Sequence, residues 1–244
     1  MLKKSIILFS IMLPILLSLN STLLTAVGQE SQRQMTISIE PDLKDWKIKG
    51  PKFMSKWEVG IAAIDANNPK KLKVQPTDKK AGELINKSKG SLDIYTRKTF
   101  GDCIIEMEVM VAEKSNSGIY LMGRYEVQVK DSFGKSWLLG PGDMGGIVGT
   151  SKPIKNAAKK AGQWQKIKIE FNAPRLKNGK RQAPAEFVKV TINDTVVQEH
   201  VKMEKGPTSG ALKNGEISKG PLMLQGGLGA VAYRNIRITP KVIQ

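Results

Sequence analysis

The segment Cys103–Val111, CIIEMEVMV, constrains this chain most strongly, because Cys103, Ile105, Met107, Val109 and Val111 make one unbroken apolar face. A period of two marks a strand with one side in a core. Glu106 and Glu108 share the other side with Ile104 and Met110. Further strands are expected over residues 36–40, 92–95, 163–171, 187–192, 195–198, 222–224 and 231–238, and over Trp57–Ile64 and Glu83–Asn86. Asn193-Asp194 is a turn pair able to take positive φ, so 187–192 and 195–198 read as a hairpin. The total is about ten to twelve short strands separated by turns, with single helical turns expected only near 42–46 and 156–160. Such a pattern predicts an all-β antiparallel sandwich or jelly roll. With no internal repeat and no evident linker, residues 29–244 are expected to form a single domain.

One cysteine among 244 residues rules out an internal disulfide, so stability must come from packing. Cys103 lies on the apolar face and reads as a small buried hydrophobe. The only histidine, His200, lies in a polar run after an expected strand, and no His/Cys cluster offers a zinc or haem site. Loop Asn and Asp residues could supply oxygen ligands to calcium. No cofactor is expected. The net charge of +17 favours anionic partners or surfaces. Its lysines are scattered through loops without interleaved aromatics, and no nucleic-acid-binding module is visible, so nucleic acid is not an expected partner.

Lys3 and Lys4, the apolar run 6–19, and Ala26 and Gly28 before a cleavage point form the three-part layout of a secretory signal peptide over residues 1–28. The run is broken by Ser10, Pro14 and Ser18 and is short of the ~20 residues of a membrane span. The protein is therefore expected to be secreted or periplasmic, with no stable span after cleavage. No cysteine follows the run, which argues against a lipoprotein anchor.

The stretch 115–131, SNSGIYLMGRYEVQVKD, is the main candidate for a site. Met122-Gly123 fits a two-residue hairpin connection, although Met is not favoured there. After it, Arg124, Glu126 and Gln128 alternate with Tyr125, Val127 and Val129. A hydrogen-bonding stripe thus backs onto an apolar one. The glycine-rich loop 132–150 follows, and its apolar triplet Trp137, Leu138 and Leu139 argues for an ordered loop. Trp137 could stack on a sugar ring or anchor the loop. Asp131 could contact a ligand or cap the turn at its strand end. Glu126 could be a base or a structural carboxylate paired with Arg124 or Arg234. Glu106 and Glu108 could approach the roughly 5 Å of a retaining glycosidase pair, but two carboxylates on one strand face are more often a solvated surface.

Residues 115–134, 144–175 and 220–240, taken together, resemble the 3-keto-disaccharide hydrolase domain family, and the likeness extends over residues 36–240. It implies a concanavalin-A-like jelly roll of two curved antiparallel sheets with a carbohydrate site on the concave face. It also implies a bacterial, exported protein acting on glycosides whose C3 hydroxyl is oxidised to a ketone. Asn116 matches the family's Asn-Ser-Gly asparagine, and Arg124, Glu126, Gln128 and Asp131 match its Arg-Tyr-Glu-x-Gln-x-x-Asp run. Gln225 matches the glutamine of its Leu-Gln element, and Arg234 with Asn235 matches its Arg-Asn pair. The family usually carries a histidine two positions after that glutamine, where this chain has Gly227.

A C3 ketone acidifies the C2 proton. A carboxylate can remove it, the C1 substituent departs by elimination, and water adding to the 2-hydroxy-3-keto-glucal completes a net hydrolysis. Cationic or amide donors are needed at the developing enolate oxygen. Together these readings give Glu126 as base with Arg124 as catalytic partner, and Asn116, Gln128, Asp131, Trp137, Gln225 and Arg234 as substrate contacts. The rival expectation is a lectin-like glycan-binding module without turnover.

Overall fold

The computed structural model describes residues 33–77 and 82–241, so the expected signal peptide lies outside the described residues. The strands are β1 (Met35–Thr36), β2 (Trp46–Ile48), β3 (Trp57–Ile64), β4 (Leu72–Gln75), β5 (Glu83–Asn86), β6 (Ile94–Phe100), β7 (Cys103–Val111) and β8 (Asn116–Leu121). They continue as β9 (Tyr125–Lys130), β10 (Gln165–Asn172), β11 (Arg175–Lys177), β12 (Lys180–Ala183), β13 (Glu186–Ile192), β14 (Thr195–Lys202), β15 (Gly220–Leu224) and β16 (Val231–Pro240). A nine-stranded sheet runs β14-β13-β10-β7-β16-β5-β3-β4, with β1 also on β16. A five-stranded sheet runs β2-β6-β15-β8-β9, and β11-β12 form a separate hairpin. The pairings between strands are antiparallel. This is the jelly-roll sandwich of two antiparallel sheets that the sequence predicts.

The alternating faces close on each other. Cys103, Ile105, Met107, Val109 and Val111 meet Ile119, Leu121, Tyr125, Val127 and Val129 in one buried core. Tyr125 of the smaller sheet packs on Phe171 of the larger at 5.7 Å between ring centroids, and Phe171 packs on Phe187 at 5.2 Å. Pairs of this geometry fix how two sheets sit. Burial pushes the Cys103 thiol up to about 12, which leaves it a packed, inert group.

Some local expectations differ. Of the first expected strand, 36–40, only Thr36 falls in an observed strand, β1, which begins one residue earlier at Met35. Residues 41–45 make tight turns with Leu43 at φ 51, and feed β2 without a helix. Residues 156–160 are irregular, because the Asn156 side-chain amide donates to the Ser132 and Lys135 carbonyls while its oxygen accepts from Ala158 N–H. Those bonds hold the 132–163 loop in place of the predicted apolar anchor. Trp137 and Leu138 are 75% and 81% exposed.

Candidate active site

The β8-β9 hairpin is the scaffold. Met122 and Gly123 have φ of 56 and 64, and Arg124 N–H donates to the Leu121 carbonyl at 2.9 Å. Leu121 lies opposite Tyr125, so the connection has one residue more than the sequence suggests, and Arg124 stands in the turn. Alternation then turns Tyr125, Val127 and Val129 into the core and Glu126 and Gln128 to the outer face of the five-stranded sheet.

Register assembles the rest of that face. Tyr120 is opposite Glu126, Met223 opposite Tyr120, Tyr95 opposite Met223, and Lys47 opposite Tyr95. These five side chains form one row across the sheet. The next row is Lys49, Asp93, Gln225, Gly118 and Gln128, joined by Lys49 N–H to the Asp93 carbonyl (2.8 Å), Gln225 N–H to the Gly118 carbonyl (2.9 Å) and the Gly118–Gln128 pair. Gly118 leaves a gap in this second row, and Glu126 leans into it. A Cβ at position 118 would stand 2.0 Å from Glu126 Oε1 and 2.8 Å from Cδ.

Glu126 is only 4% exposed, and its carboxyl pKa is pushed up to about 7. Burial is the main cause, because a low-dielectric setting disfavours charge. The nearby negative charge of Asp93 adds to it, while the Tyr120 hydroxyl opposes it. Asp93 is paired with Lys49 Nζ at 3.3 Å and accepts Gly226 N–H at 3.1 Å. The Tyr120 hydroxyl donates to the Ser209 carbonyl at 3.1 Å and accepts from Gln225 Nε2 at 3.3 Å. Gln225 Oε1 is buried with no protein partner, an acceptor left open at the heart of the face. Gln128 Nε2 donates to Asn116 Oδ1 beside it. A carboxyl group near pKa 7, amides, an ammonium and a phenol therefore face one another. That set can move a proton and hold polyhydroxylated ligands.

Of the residues predicted from sequence, the fold brings together Glu126, Gln128, Asn116 and Gln225. Arg124 lies nearby but is committed elsewhere. Its Nε donates to the Gly215 carbonyl at 2.6 Å and its Nη1 to the Met122 carbonyl at 3.1 Å, so it anchors the 206–219 loop. It makes no ion pair with Glu126. Asp131 sits just past β9 and accepts Lys114 N–H at 2.9 Å, which is the turn-capping arrangement. Trp137 is solvent-exposed on its loop.

Arg234 is on the other sheet. It pairs with Glu108 at 2.7 Å and Glu83 at 3.1 Å, and its guanidinium lies 4.0 Å from the Trp164 ring centroid. Glu106 and Glu108 belong to that same outer surface, where Glu106 meets Lys168 at 3.6 Å, so they form a salt-bridged face. His200 is exposed beside Glu186.

Sequence reasoning missed Asp93, Lys49 and Tyr120. Only strand register brings them to Glu126, and nothing in their local sequence sets them apart. Among the described residues, no group of three or more His, Cys, Asp or Glu side chains could hold a metal ion.

The two site glycines differ. A Cβ at Gly226 would lie 2.2 Å from the Leu92 carbonyl oxygen, so the close approach of two backbones demands glycine. At Gly227 a Cβ would meet only the Ser91 oxygen at 3.5 Å, an ordinary contact. The backbone there has room for a side chain.

Comparison with known proteins fits this architecture. Residues 40–239 match the model of the 3-keto-alpha-glucoside-1,2-lyase-like domain. A protein of Parabacteroides distasonis, provisionally named a glycosyl hydrolase, shares 26% identity and superposes with a TM-score of 0.62 over 84% of each chain. A second from that organism, with the same provisional name, has 17% identity and a TM-score of 0.56, over 86% of this chain and all of its own. It shows the shared fold. No curated protein matches the chain.

Proposed function

Because this chain belongs to the 3-keto-alpha-glucoside-1,2-lyase-like domain family, we propose that it is a carbohydrate-active enzyme that cleaves 3-keto-glycosides. The observation that carries the reading is the Glu126 carboxyl group, held near pKa 7 in a seat vacated by Gly118. A base poised near the working pH combines adequate basicity with a useful ionised fraction.

In this reaction the ionised Glu126 takes the proton from C2 of the sugar. The C2–H electron pair becomes the C1–C2 double bond as the C1–O bond breaks, and the departing alkoxide takes up a proton. Water then adds at C1 while C2 regains a proton, giving net hydrolysis. Charge developing on the C3 oxygen calls for preorganised donors. The Gln225 amide, which donates to the Tyr120 hydroxyl at 3.3 Å, is the donor on the face for that oxygen, while Lys49 Nζ is engaged by Asp93 and by the Gly210 carbonyl at 2.8 Å and adds positive charge beside it. Gln128 and Asn116, already bonded to each other, serve as hydroxyl contacts. Asp93 keeps Lys49 in place and its charge favours the protonated form of Glu126.

The test is solvent isotope incorporation. Incubation of a 3-keto-glucoside in deuterated water should place deuterium at C2 of the sugar product, and Glu126→Gln should lose this. Cleavage with C2 unlabelled would refute the elimination route. Gly227, where the family has a histidine, favours one rival reading, a glycan-binding module. Binding without any C2 exchange would establish that rival. We also assign the protein to the secreted or periplasmic space from residues 1–28. Recovery of the protein only in the cytoplasmic fraction, with residues 1–28 still present by intact mass, would contradict this.

A further inference from the structure

β2 is the outer strand of the five-stranded sheet, and its free flank opens on a groove of about 500 Å3. Lys44, Lys47, Lys52 and Arg97 line it against the single carboxylate of Asp42, and Tyr95 contributes an aromatic ring. Lys44 is neutralised by Glu40 at 2.6 Å. Lys47, Lys52 and Arg97 have no carboxylate partner among the described residues. Arg97 is oriented by its Nε bond to the Lys44 carbonyl at 2.7 Å, which leaves the terminal nitrogens of the fork for a ligand. A guanidinium oriented through its Nε, beside two exposed ammonium groups in a concave site, is an arrangement for an anionic oxygen pair. The half-buried Tyr95 ring supplies a face for the C–H side of a sugar.

The groove shares a cross-strand row with the candidate active site, and the middle of that row, Met223 and Tyr120, is buried, with the Ser209 carbonyl bonded to the Tyr120 hydroxyl. Lys47 and Tyr95 begin the cross-strand row that ends at Glu126. Four strand spacings separate Lys47 from Glu126, or about 19 Å. That is the span of an oligosaccharide, beyond the reach of a single sugar.

We propose that this groove is a subsite for an acidic sugar, bearing a carboxylate or sulfate, on a glycan whose other part lies at Glu126. The inference rests on the proposed carbohydrate activity and narrows its substrate class to anionic oligosaccharides. The strongly positive net charge, of which only Lys3 and Lys4 lie in residues 1–28, would draw such polymers in, while the groove supplies the discrimination.

Calorimetric titration tests it. Ligands are an oligogalacturonate, a sulfated oligosaccharide, a neutral gluco-oligosaccharide and a single-stranded oligonucleotide of matched charge, against wild type, Tyr95→Ala and a Lys47→Ala/Arg97→Ala double variant. The acidic glycans should bind wild type more tightly than the neutral one, and the double variant should lose about tenfold or more of that affinity. Whichever of carboxylate or sulfate binds tighter identifies the anion. Tyr95→Ala should weaken acidic glycans and leave the oligonucleotide unchanged. Equal binding of acidic and neutral glycans, no loss in the double variant, or equal use of the groove by the oligonucleotide would each overturn the proposal. Turnover of a small neutral 3-keto-glycoside by wild type is read separately. Inertness there with acidic-glycan discrimination intact would sink the catalytic reading alone, and the converse result would sink this one alone.

Discussion

Replacing Glu126 by Gln should remove turnover and, at alkaline pH, stabilise the fold. The carboxyl is raised from its ordinary 4.5 to about 7, chiefly by burial. The folded protein therefore holds a proton on Glu126 between those two values more readily than the unfolded chain does. Its contribution is neutral below about pH 4.5, becomes increasingly unfavourable as pH rises through 7, and is then constant. At 1.36 kcal/mol per pH unit, that interval amounts to about 3 kcal/mol. Glutamine keeps the shape and carries no charge at any pH. The stability difference, variant minus wild type, should thus grow by about 3 kcal/mol between pH 4.5 and pH 8. Urea unfolding followed by the fluorescence of buried Trp46 and Trp57 reads it at each pH. The slope m should stay the same in both proteins. A difference that does not change with pH would refute the reasoning, because it would mean that Glu126 titrates as if exposed.

Five further substitutions, at four positions, test the assembly of the site. Gly118→Ala puts a methyl where Glu126 Oε1 lies. It should cost about 1–3 kcal/mol by overpacking and lower kcat far more than that stability loss accounts for, as seen by parallel unfolding and rate measurements. Gly226→Ala, against the Leu92 carbonyl, should destabilise by roughly 2 kcal/mol, whereas Gly227→Ala should stay within about 0.5 kcal/mol of wild type in the same denaturation assay. Gly227→His, for which the backbone has room, should fold equally well. Arg234→Met removes the half-exposed pairs to Glu108 and Glu83 and should cost about 1 kcal/mol with kcat/KM unchanged, which separates that surface from the site.

How much of this was legible depended on whether a signal was local. β3, β5 and β7 have the predicted limits, because apolar runs bounded by polar turns define them without tertiary help. The Asn193-Asp194 turn is equally local, and its φ values of 50 and 63 are those its residues favour. The β11-β12 hairpin was missed because its flanks are polar on both faces. Asn178-Gly179, at φ 52 and 73, was the available signal. β2 has three residues and exists only through its ladder to β6. The same distinction governs the site. Glu126, Gln128 and Asn116 lie within one hairpin and could be found by alternation. Lys49 and Asp93 come from segments far away in sequence, and Arg234 was misplaced because alternation cannot tell which of two sheets a strand joins.

The central claim is that Glu126 is the base of a C2 deprotonation, and the pH profile of turnover on a small 3-keto-glucoside tests it most directly. Wild type should release the C1 leaving group with kcat/KM rising through about pH 7 as Glu126 ionises, and folded Glu126→Gln should fall by a factor on the order of 10²–10⁴. A folded wild type inert across the pH range, or a Glu126→Gln variant that keeps the wild-type rate and profile, would contradict it.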